Sequence, residues 1–499
     1  MESPPSSLDP LLSLIHLQAR VRASDVYLLD ARSERTLSYA ALGERVDEHR
    51  HALRSWGLKS GERVGLVVGD TLTFAEWFLA GISFGAWVAP LDPTPASALA
   101  SATRAATLGV SLIVSEARAP EGSAQEWMSA DSFDPEHAEA VTEEIEPSRG
   151  GIILSSSGTT GTPKVMALSV DQLLATAELI VEHHRFLPSD RGFNPLPLWH
   201  VNAEVVGLLS TLCVGASLVL DERFHRTDFW TLVNGFDVSW INAVPAIIAR
   251  LANLNEGEAP SRAIRFVRSA SAPLTPSLFE RFEAHVGVPV IQSYGMTEAA
   301  SQICVSPIDD VRKAGSVGRP AGVEVRVLAQ PGEVGPIEIT GPTVITRYQS
   351  PGYDERFSED GWLRTGDLGF FDADGYLFIV GRNDDVINRG GEKIYPLEIE
   401  EILTTVEGVA RVAVVGREDE VFGHVPVAFI QPTGDVAMNE SELAELVERV
   451  RAHASARLPS TRRPMSVSIL AELPAHATGK IQNAHLRRGD VDVVYEERL

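Results

Sequence analysis

Residues 151–164 read Gly-Ile-Ile-Leu-Ser-Ser-Ser-Gly-Thr-Thr-Gly-Thr-Pro-Lys. The apolar start predicts a buried strand, which runs into a series of small and hydroxylated residues. Glycines let the backbone come close to a ligand, and hydroxyls with successive backbone N–H groups can hold an anion. The stretch therefore predicts a polyphosphate-binding loop, with a flexible surface loop as the alternative.

The most common phosphate loop does not fit this stretch. A Walker A loop needs lysine directly after its second glycine, followed by serine or threonine. In this chain Gly161 is followed by Thr162, Pro163 and only then Lys164. If the loop binds phosphate, it does so with another pattern.

Composition limits the partners that the chain can have. With 499 residues it is too long for one ordinary domain. Its formal charge of −25 argues against nucleic acid and against an anionic membrane surface. Cys213 and Cys304 show no metal-ligand spacing, and the N-terminus lacks the basic and apolar segments of a secretory signal. We expect a cytoplasmic protein with no nucleic-acid or membrane partner.

Strand and helix patterns alternate in the first part of the chain. Residues 63–68 and 86–90 are typical of strands, and residues 74–82 between them are typical of a helix. This alternation predicts an α/β fold with a mostly parallel sheet covered by helices. Residues 1–60 are predicted to be helical and residues 119–149 to form an acidic linker.

Later segments predict further elements. Residues 168–184 are expected to form a helix capped by Ser169. After residue 396 the pattern changes to a compact α+β unit. Its elements are predicted as a helix at 397–405, strands at 409–415 and 425–430, and an amphipathic helix at 440–457.

Three further motifs carry chemistry. Residues 292–298 read Gln-Ser-Tyr-Gly-Met-Thr-Glu, residues 361–369 read Gly-Trp-Leu-Arg-Thr-Gly-Asp-Leu-Gly, and residues 478–480 read Thr-Gly-Lys. Taken alone, they indicate a glycine turn, a strand end and a solvated loop lysine. The carboxylate of Asp367 could accept hydrogen bonds from both hydroxyls of a ribose.

In this order along the chain, the loop and the three motifs resemble the adenylate-forming (AMP-binding) superfamily. That superfamily includes acyl-CoA synthetases, adenylation domains, luciferase-like ligases and stand-alone ATP-dependent amide synthetases. The chain departs from the usual pattern at Val165, where the superfamily usually has glycine. The resemblance implies a large N-terminal domain of helix-covered β-sheets at 1–383, with a small β-barrel at about 310–380. A smaller, mobile α+β domain at 384–499 would carry the catalytic lysine.

The resemblance also implies a role for individual residues. Lys480 would be the catalytic lysine, Glu298 would hold Mg²⁺, Thr297 would contact phosphate, and Asp384 would be the hinge. One Glu suffices for Mg²⁺, because this ion prefers one or two carboxylates plus substrate phosphates. The implied nucleotide-binding residues are Ser156, Ser157, Gly158, Thr159, Thr160, Gly161, Lys164, Ser271, Ala272, Pro273, Tyr294, Gly295, Met296, Thr297, Asp367 and Arg382.

The acyl pocket is placed by the resemblance around residues 195–200, Pro-Leu-Pro-Leu-Trp-His. Domains that activate α-amino acids have Asp at the position of His200, so an ordinary amino acid is not expected as substrate. Two tryptophans suggest a flat or aromatic acid. The implied pocket residues are Trp199, His200, Trp240, Asn242, Val244 and Ser269.

The implied chemistry has two steps. ATP would activate a carboxylic acid as acyl-adenylate, and a nucleophile would then displace AMP. CoA is the favoured nucleophile, although the superfamily's CoA pattern Leu-x-x-Tyr-Lys-x-Pro has Thr461 and Arg462 in place of Tyr and Lys. The alternative is an amine, with Glu204 as the base, provided that Glu204 faces the pocket and is not simply a solvated residue near a helix start. A nucleotide-binding regulator without activity is the alternative from another class.

Overall fold

The computed structural model describes residues 9–94, 97–117, 119, 123, 125–130, 150–156, 164–433, 439–475 and 480–498. Its α-helices are α1 (Pro10–Val21), α2 (Tyr39–Ser55), α3 (Thr71–Ser83), α4 (Ala98–Thr107), α5 (Val170–His184), α6 (Ser210–Val214), α7 (Phe229–Gly235), α8 (Pro245–Leu251), α9 (Pro276–Val286), α10 (Pro396–Leu403), α11 (Glu440–Arg457) and α12 (Asn483–Arg488).

The strands of the first half of the chain are β1 (Val26–Asp30), β2 (Thr36–Ser38), β3 (Arg63–Val67), β4 (Trp87–Pro90), β5 (Leu112–Ser115), β6 (Glu126–Ser129), β7 (Gly151–Ser156), β8 (Lys164–Ser169), β9 (Arg191–Asn194), β10 (Ser217–Leu220), β11 (Trp240–Ala243) and β12 (Phe266–Ser269). Those of the second half are β13 (Val290–Tyr294), β14 (Cys304–Val305), β15 (Arg319–Pro320), β16 (Glu324–Val327), β17 (Gly335–Thr340), β18 (Leu363–Phe371), β19 (Leu377–Arg382), β20 (Ile387–Arg389), β21 (Glu392–Ile394), β22 (Val409–Asp419), β23 (Gly423–Pro432), β24 (Ser466–Leu470) and β25 (Val493–Arg498).

A nine-stranded sheet forms the centre of the N-terminal part, in the order β15-β14-β13-β12-β11-β9-β10-β1-β2. Its strands from β13 to β1 pair in parallel. Strands β9 to β12 are almost wholly buried, as expected for parallel strands covered on both faces. The carboxyl ends of these strands meet at one edge, where open α/β sheets bind their ligands.

A second, six-stranded sheet has the order β6-β5-β3-β4-β7-β8. The antiparallel pair β7 and β8 flanks the predicted phosphate loop. Two predictions from the sequence were wrong in detail. Residues 1–60 are not wholly helical, because β1 pairs with the distant β10 and with β2, and the predicted linker at 119–149 contains β6.

A four-stranded antiparallel sheet, β16-β17-β18-β19, lies where the small barrel was predicted. Its last hairpin turns at Asp374-Gly375, where Gly375 has φ of 77°. Lys313 Nζ lies 2.5 Å from an oxygen of Asp372 and 2.6 Å from one of Asp374. The acidic pair in this turn is therefore neutralised by a lysine.

The C-terminal part has its own sheet and its own apolar core. β21, β20, β23, β24 and β25 follow one another, and β22 pairs with β23. Residues 387–469 supply one buried cluster that is separate from the cluster of the N-terminal part. Helix α11 has the predicted bounds. The domain boundary at residue 384 stays a prediction.

In the part of the chain that the structure describes, no helix combines the length and the apolar character needed to cross a bilayer.

Helix α5 begins as predicted. The Ser169 hydroxyl accepts a hydrogen bond from the Gln172 N–H at 3.3 Å, and the Gln172 side chain accepts one from the Ser169 N–H at 3.0 Å. This reciprocal pair satisfies two N–H groups that the helix itself leaves without partners.

Replacing Ser169 by alanine should lower the free energy of unfolding by about 1 kcal/mol, because one end of the capping box is lost. Urea denaturation of the purified variant measures this change. The matched control is Glu178→Ala, an exposed position on the same helix, which should leave the midpoint unchanged. Equal midpoints for the Ser169 variant and the unmodified protein would contradict the assigned cap.

Candidate active site

The motif at residues 292–298 follows β13 and is shaped by one glycine. A Cβ on Gly295 would lie 1.9 Å from the carbonyl oxygen of Ser301, so only glycine fits. The returning chain is in the left-handed region at Ala300 (φ 47°) and Ser301 (φ 85°). Such backbone strain is concentrated at functional sites in proteins.

Tyr294 connects this motif to the Thr-Gly-Asp motif of β18. Its hydroxyl donates to Asp367 Oδ2 at 2.5 Å. On the other side, Arg382 Nε lies 3.8 Å from Asp367 Oδ1. Gly366 adopts φ of 83°, and a Cβ there would come within 3.0 Å of the Arg382 guanidinium. The structure thus brings together the predicted ribose-binding carboxylate and two of the predicted nucleotide contacts.

Glu298 lies in a short 3-10 turn, Thr297–Ala299, and is almost fully buried. Its Oε1 accepts a hydrogen bond from the Tyr348 hydroxyl at 2.9 Å, and its backbone carbonyl accepts from the Ile345 N–H at 2.8 Å. A carboxylate held by one hydrogen bond keeps further acceptor sites for a cation. Thr297, which precedes it, is half-buried.

These residues fit a magnesium ion that is held jointly with a phosphate. No group of three or more His, Cys, Asp or Glu side chains that could hold a metal ion exists among the described residues. A site with one carboxylate matches Mg²⁺, whose remaining ligands are substrate phosphates and water. The role of Glu298 stays a prediction.

Lys164 lies at the start of β8, near Glu298. Its Nζ lies 5.4 Å from the centre of the Tyr353 ring. Partial burial, followed by the positive charge of Arg356, lowers the pKa of Lys164, and Glu298 opposes that shift. Arg356 itself donates to the Thr365 carbonyl at 3.0 Å.

Sequence reasoning missed Arg356, Tyr348 and Tyr353. They lie between the motifs, in a segment without glycine-rich spacing, so no local pattern marks them. Their nearness to Lys164 and Glu298 arises only in the folded chain.

Lys480 belongs to the same group of charges. Its side chain is exposed. Desolvation, followed by the positive charge of Arg382, lowers the pKa of Lys480, while Asp367, Asp385 and Glu298 raise it. Lys480 is therefore within electrostatic range of these residues, and its catalytic role stays a prediction.

The predicted hinge residue, Asp384, is exposed and lies in a 3-10 turn, Asn383–Asp385, directly after β19. The neighbouring Asp385 forms an ion pair with Arg487. The turn therefore lies between the last strand of one sheet and the first strand of the next.

Most of the predicted phosphate loop lies outside the described residues: Ser157, Gly158, Thr159, Thr160 and Gly161, and also the side chain of Ser156. The same holds for residues 478 and 479. Val165, which replaces the usual glycine, is part of β8, and its N–H donates to the Ser350 hydroxyl at 3.0 Å.

The predicted adenine-binding turn follows β12. Ser271 has φ of 74°, an uncommon value for serine. Ser271 and Pro273 are exposed and Ala272 is half-buried, so their surface is open to a ring. Asn202 Nδ2 donates to the Ser271 hydroxyl at 3.4 Å, which links this turn to the predicted acyl pocket.

The predicted acyl pocket is built at the carboxyl ends of the parallel strands. Asn242 Nδ2 donates to Asn194 Oδ1 at 2.9 Å and to Asn202 Oδ1 at 3.0 Å. The half-buried rings of Trp199 and His200 lie 4.1 Å apart.

Of the remaining predicted pocket residues, Ser269 and Val244 are buried. Trp240 is fully buried too, and its ring stacks on Phe186 with the centroids 4.5 Å apart. This tryptophan is packed in the apolar core, so the suggestion of an aromatic acid loses one of its two supports.

The interpretation of Glu204 as a solvated residue was wrong, whereas its role as a base in the pocket stays a prediction. Glu204 is fully buried, on a π-helical segment, Ala203–Leu209, so it is not a solvated residue. Neither carboxyl oxygen has a hydrogen-bond partner among the described residues. Burial raises the pKa of Glu204 well above its ordinary value.

The profile of the AMP-binding enzyme family matches residues 15–349, and that of the AMP-binding enzyme C-terminal domain matches residues 398–480. The chain belongs to the AMP-binding enzyme family. The resemblance inferred from the motifs is thereby confirmed.

Relatives extend over nearly the whole chain. The sulfoacetate–CoA ligase of Cupriavidus necator is 34% identical over 97% of this chain and 98% of its own length. The oxalate–CoA ligase of Arabidopsis thaliana is 32% identical over 95% of this chain and 97% of its own.

Among solved structures, the o-succinylbenzoate CoA synthetase of Bacillus subtilis with its acyl-adenylate intermediate has a TM-score of 0.82 at 25% identity, covering 97% of this chain and 99% of that chain. The same enzyme with ATP and a magnesium ion has a TM-score of 0.80 at 25% identity, covering 95% of this chain and 98% of that chain. The predicted α/β fold and the predicted adenylate-forming acid–thiol ligase are confirmed.

Lys480→Ala should lower the rate of pyrophosphate release by about 100-fold or more, because a charge aimed at the reacting oxygens is lost. Transfer from preformed acyl-AMP should barely change. A coupled pyrophosphate assay with ATP and a panel of acids measures the first step, with the exposed Lys59→Ala as control. An unchanged rate in the Lys480 variant would end this assignment.

Proposed function

We propose that the protein uses ATP and Mg²⁺ to activate a carboxylic acid as acyl-adenylate, and then transfers the acyl group to CoA. The observation that carries the proposal is the convergence of Lys164, Arg382 and Lys480 around Glu298 and Asp367, contributed by three distant segments of the chain. A nucleotide-binding regulator would not need Lys480 at that place.

In the first step, the substrate carboxylate attacks the α-phosphate of ATP, and pyrophosphate leaves. Asp367, held by Tyr294, orients the ribose. Mg²⁺ at Glu298 would neutralise phosphate charge. Lys480 stabilises the charge that develops on the bridging and carboxylate oxygens. The protein contributes position and charge, as expected for a phosphate-centred reaction.

In the second step, a thiol replaces AMP on the acyl carbon. Lys480 occupies the space beside the adenylate during the first step, so it has to withdraw before the thiol can approach. Rotation of the C-terminal part about the turn at Asp384 would achieve this, as a hinge motion between two packed bodies.

CoA is supported as the acceptor by the relatives, which include a sulfoacetate–CoA ligase and an oxalate–CoA ligase. Glu204, the base proposed for an amine acceptor, is fully buried and its carboxyl oxygens have no hydrogen-bond partner among the described residues. The predicted CoA contact Arg462 is paired with Glu398 at 2.7 Å. Arg462 would have to leave this ion pair before it could contact CoA.

The relatives are named for several kinds of acid, among them indoleacetate and long-chain fatty acids. Three of the named acids, sulfoacetate, oxalate and succinylbenzoate, carry a second acidic group besides the carboxylate that joins CoA. We therefore propose an acid with two anionic groups in place of the simple flat aromatic acid that the tryptophans suggested.

Asp384→Pro should slow thioester formation by about 10-fold or more while pyrophosphate release changes little, because proline fixes φ at the pivot. Single-turnover assays of the two half-reactions measure the effect separately. The matched control is Asn383→Ala, a substitution at the neighbouring position that leaves φ free. Equal losses in both half-reactions of the Asp384 variant would place the hinge elsewhere.

Incubation of the enzyme with ATP, an active acid and either CoA or a simple amine tests the acceptor. We expect rapid thioester formation, and we expect Glu204→Gln to change it by less than about threefold, since the glutamine resembles a protonated glutamate. Mass spectrometry of the products distinguishes thioester from amide. Rapid amide formation that Glu204→Gln abolishes would reverse the proposal, and no pyrophosphate release with any acid would favour the regulator.

A further inference from the structure

Arg268 is an arginine in the interior that has no acidic partner among the described residues. It is the third residue of β12, between the apolar Val267 and Ser269, and its exposure is 0%. No carboxylate of the described residues lies within salt-bridge distance of it, and burial alone lowers its pKa, to about 9. The guanidinium is therefore charged at neutral pH without a counter-ion.

The groups around Arg268 are neutral. Nη1 lies 3.4 Å from the amide oxygens of both Asn202 and Asn242, and Nη2 donates to the Ser293 hydroxyl at 3.0 Å. Nε has no hydrogen-bond partner among the described residues. These three contacts, two of them long, leave two of the five N–H donors of the guanidinium without a partner among the described residues.

Such an arrangement is costly in a folded protein. A buried charge without a partner is unfavourable by several kcal/mol, so proteins pair it, neutralise it or use it. Elsewhere in this chain the buried acid Glu338 accepts from Arg326 at 2.8 Å and 2.6 Å. Arg268, in contrast, is not paired with an opposite charge among the described residues.

The position of Arg268 connects it with the acyl pocket. Asn242 and Arg268 are paired across β11 and β12, so their side chains point to the same face of the sheet. Asn202 is two residues from His200, and Ser293 directly precedes Tyr294. The guanidinium therefore contacts one predicted pocket residue, Asn242, and one residue close in sequence to another, Asn202.

Arg268 does not belong to the charge group that handles the reacting carboxylate. The charges that act on Lys480 are Arg382, Asp367, Asp385 and Glu298, whereas no charge of the described residues contributes to the pKa of Arg268. Buried Glu204 does not neutralise it either. The described residues therefore supply no anion to Arg268.

We infer that Arg268 binds a second anionic group of the substrate acid, a carboxylate or a sulfonate, at the end away from the carboxylate that joins AMP. This inference rests on the proposed function, and it adds the residue that selects the substrate. The planar guanidinium offers paired N–H donors that match the two oxygens of either group. A monoacid of the same length would leave the charge unpaired, so the site discriminates against it.

The test compares malonate with propionate and sulfoacetate with propionate, using pyrophosphate release and CoA-thioester formation. The unmodified enzyme should prefer the dianionic acids. In Arg268→Met, kcat/KM for the preferred dianionic acid should fall by about 100-fold or more, mainly through KM, while kcat/KM for propionate changes by less than about threefold. Arg268→Lys should retain part of the preference. A preference for malonate would identify the second anionic group as a carboxylate, and a preference for sulfoacetate would identify it as a sulfonate.

The matched control is Arg265→Met. Arg265 lies three residues earlier and is paired with Asp190 at 2.5 Å, so its loss should not alter the preference between acids. ATP binding, measured by titration calorimetry, shows that each variant is folded. A parallel loss for dianionic acids and propionate in Arg268→Met would overturn the inference, and so would an unmodified enzyme without preference for a dianionic acid.

Two further outcomes keep the inference separate from the proposed function. If no acid yields pyrophosphate, the proposed function fails, and calorimetric binding of malonate and sulfoacetate to the unmodified protein and to Arg268→Met still tests the residue. If Arg268→Met does not bind ATP, Arg268→Lys and the acid preference of the unmodified enzyme decide.

Discussion

The site depends on one constraint of the nine-stranded sheet: parallel strands end at the same edge. Strands β9, β11, β12 and β13 are neighbours in this sheet and run in the same direction. Asn194, Asn242, Ser269 and Tyr294 stand at or near their carboxyl ends. A set of residues spread over about a hundred positions is thus placed along one edge by the strand pairing itself.

Local signals explain what could be predicted from the sequence. Gly295 and Asp367 belong to short motifs whose spacing reflects a backbone requirement, and α11 has both a capping box and an apolar stripe. Long-range pairing explains what could not. Strand β1 pairs with β10, about 190 residues away, and the contacts of Arg356 arise only on folding. Arg268 did carry a signal, because it is a charge within an apolar strand, but its missing counter-ion is visible only in three dimensions.

The buried ionisable groups of this protein differ in whether an ionic partner compensates their charge. Asp221 is buried and paired with Arg32 at 2.5 Å, so its charge is compensated. Glu204 and Arg268 are fully buried, and neither has an ionic partner among the described residues. Burial disfavours the charged form of both groups, since it raises the pKa of Glu204 and lowers that of Arg268, to about 9. Because 9 is still above neutral pH, Arg268 remains a charged site for an ionic ligand.

The difference between apolar and charged contacts also affects how freely the C-terminal part can move. The apolar cluster of the N-terminal part ends at about residue 379, and that of the C-terminal part begins at Ile387, so no apolar cluster of the described residues extends across the turn at Asp384. Lys480 belongs to neither apolar cluster, its side chain is exposed, and Arg382, Asp367, Asp385 and Glu298 act on it through their charges. Exposed charge contacts are screened by water and contribute about 1 kcal/mol or less each. Their loss is small enough for the C-terminal part to leave the site once the acyl-adenylate has formed, whereas a shared apolar core would hold it in place.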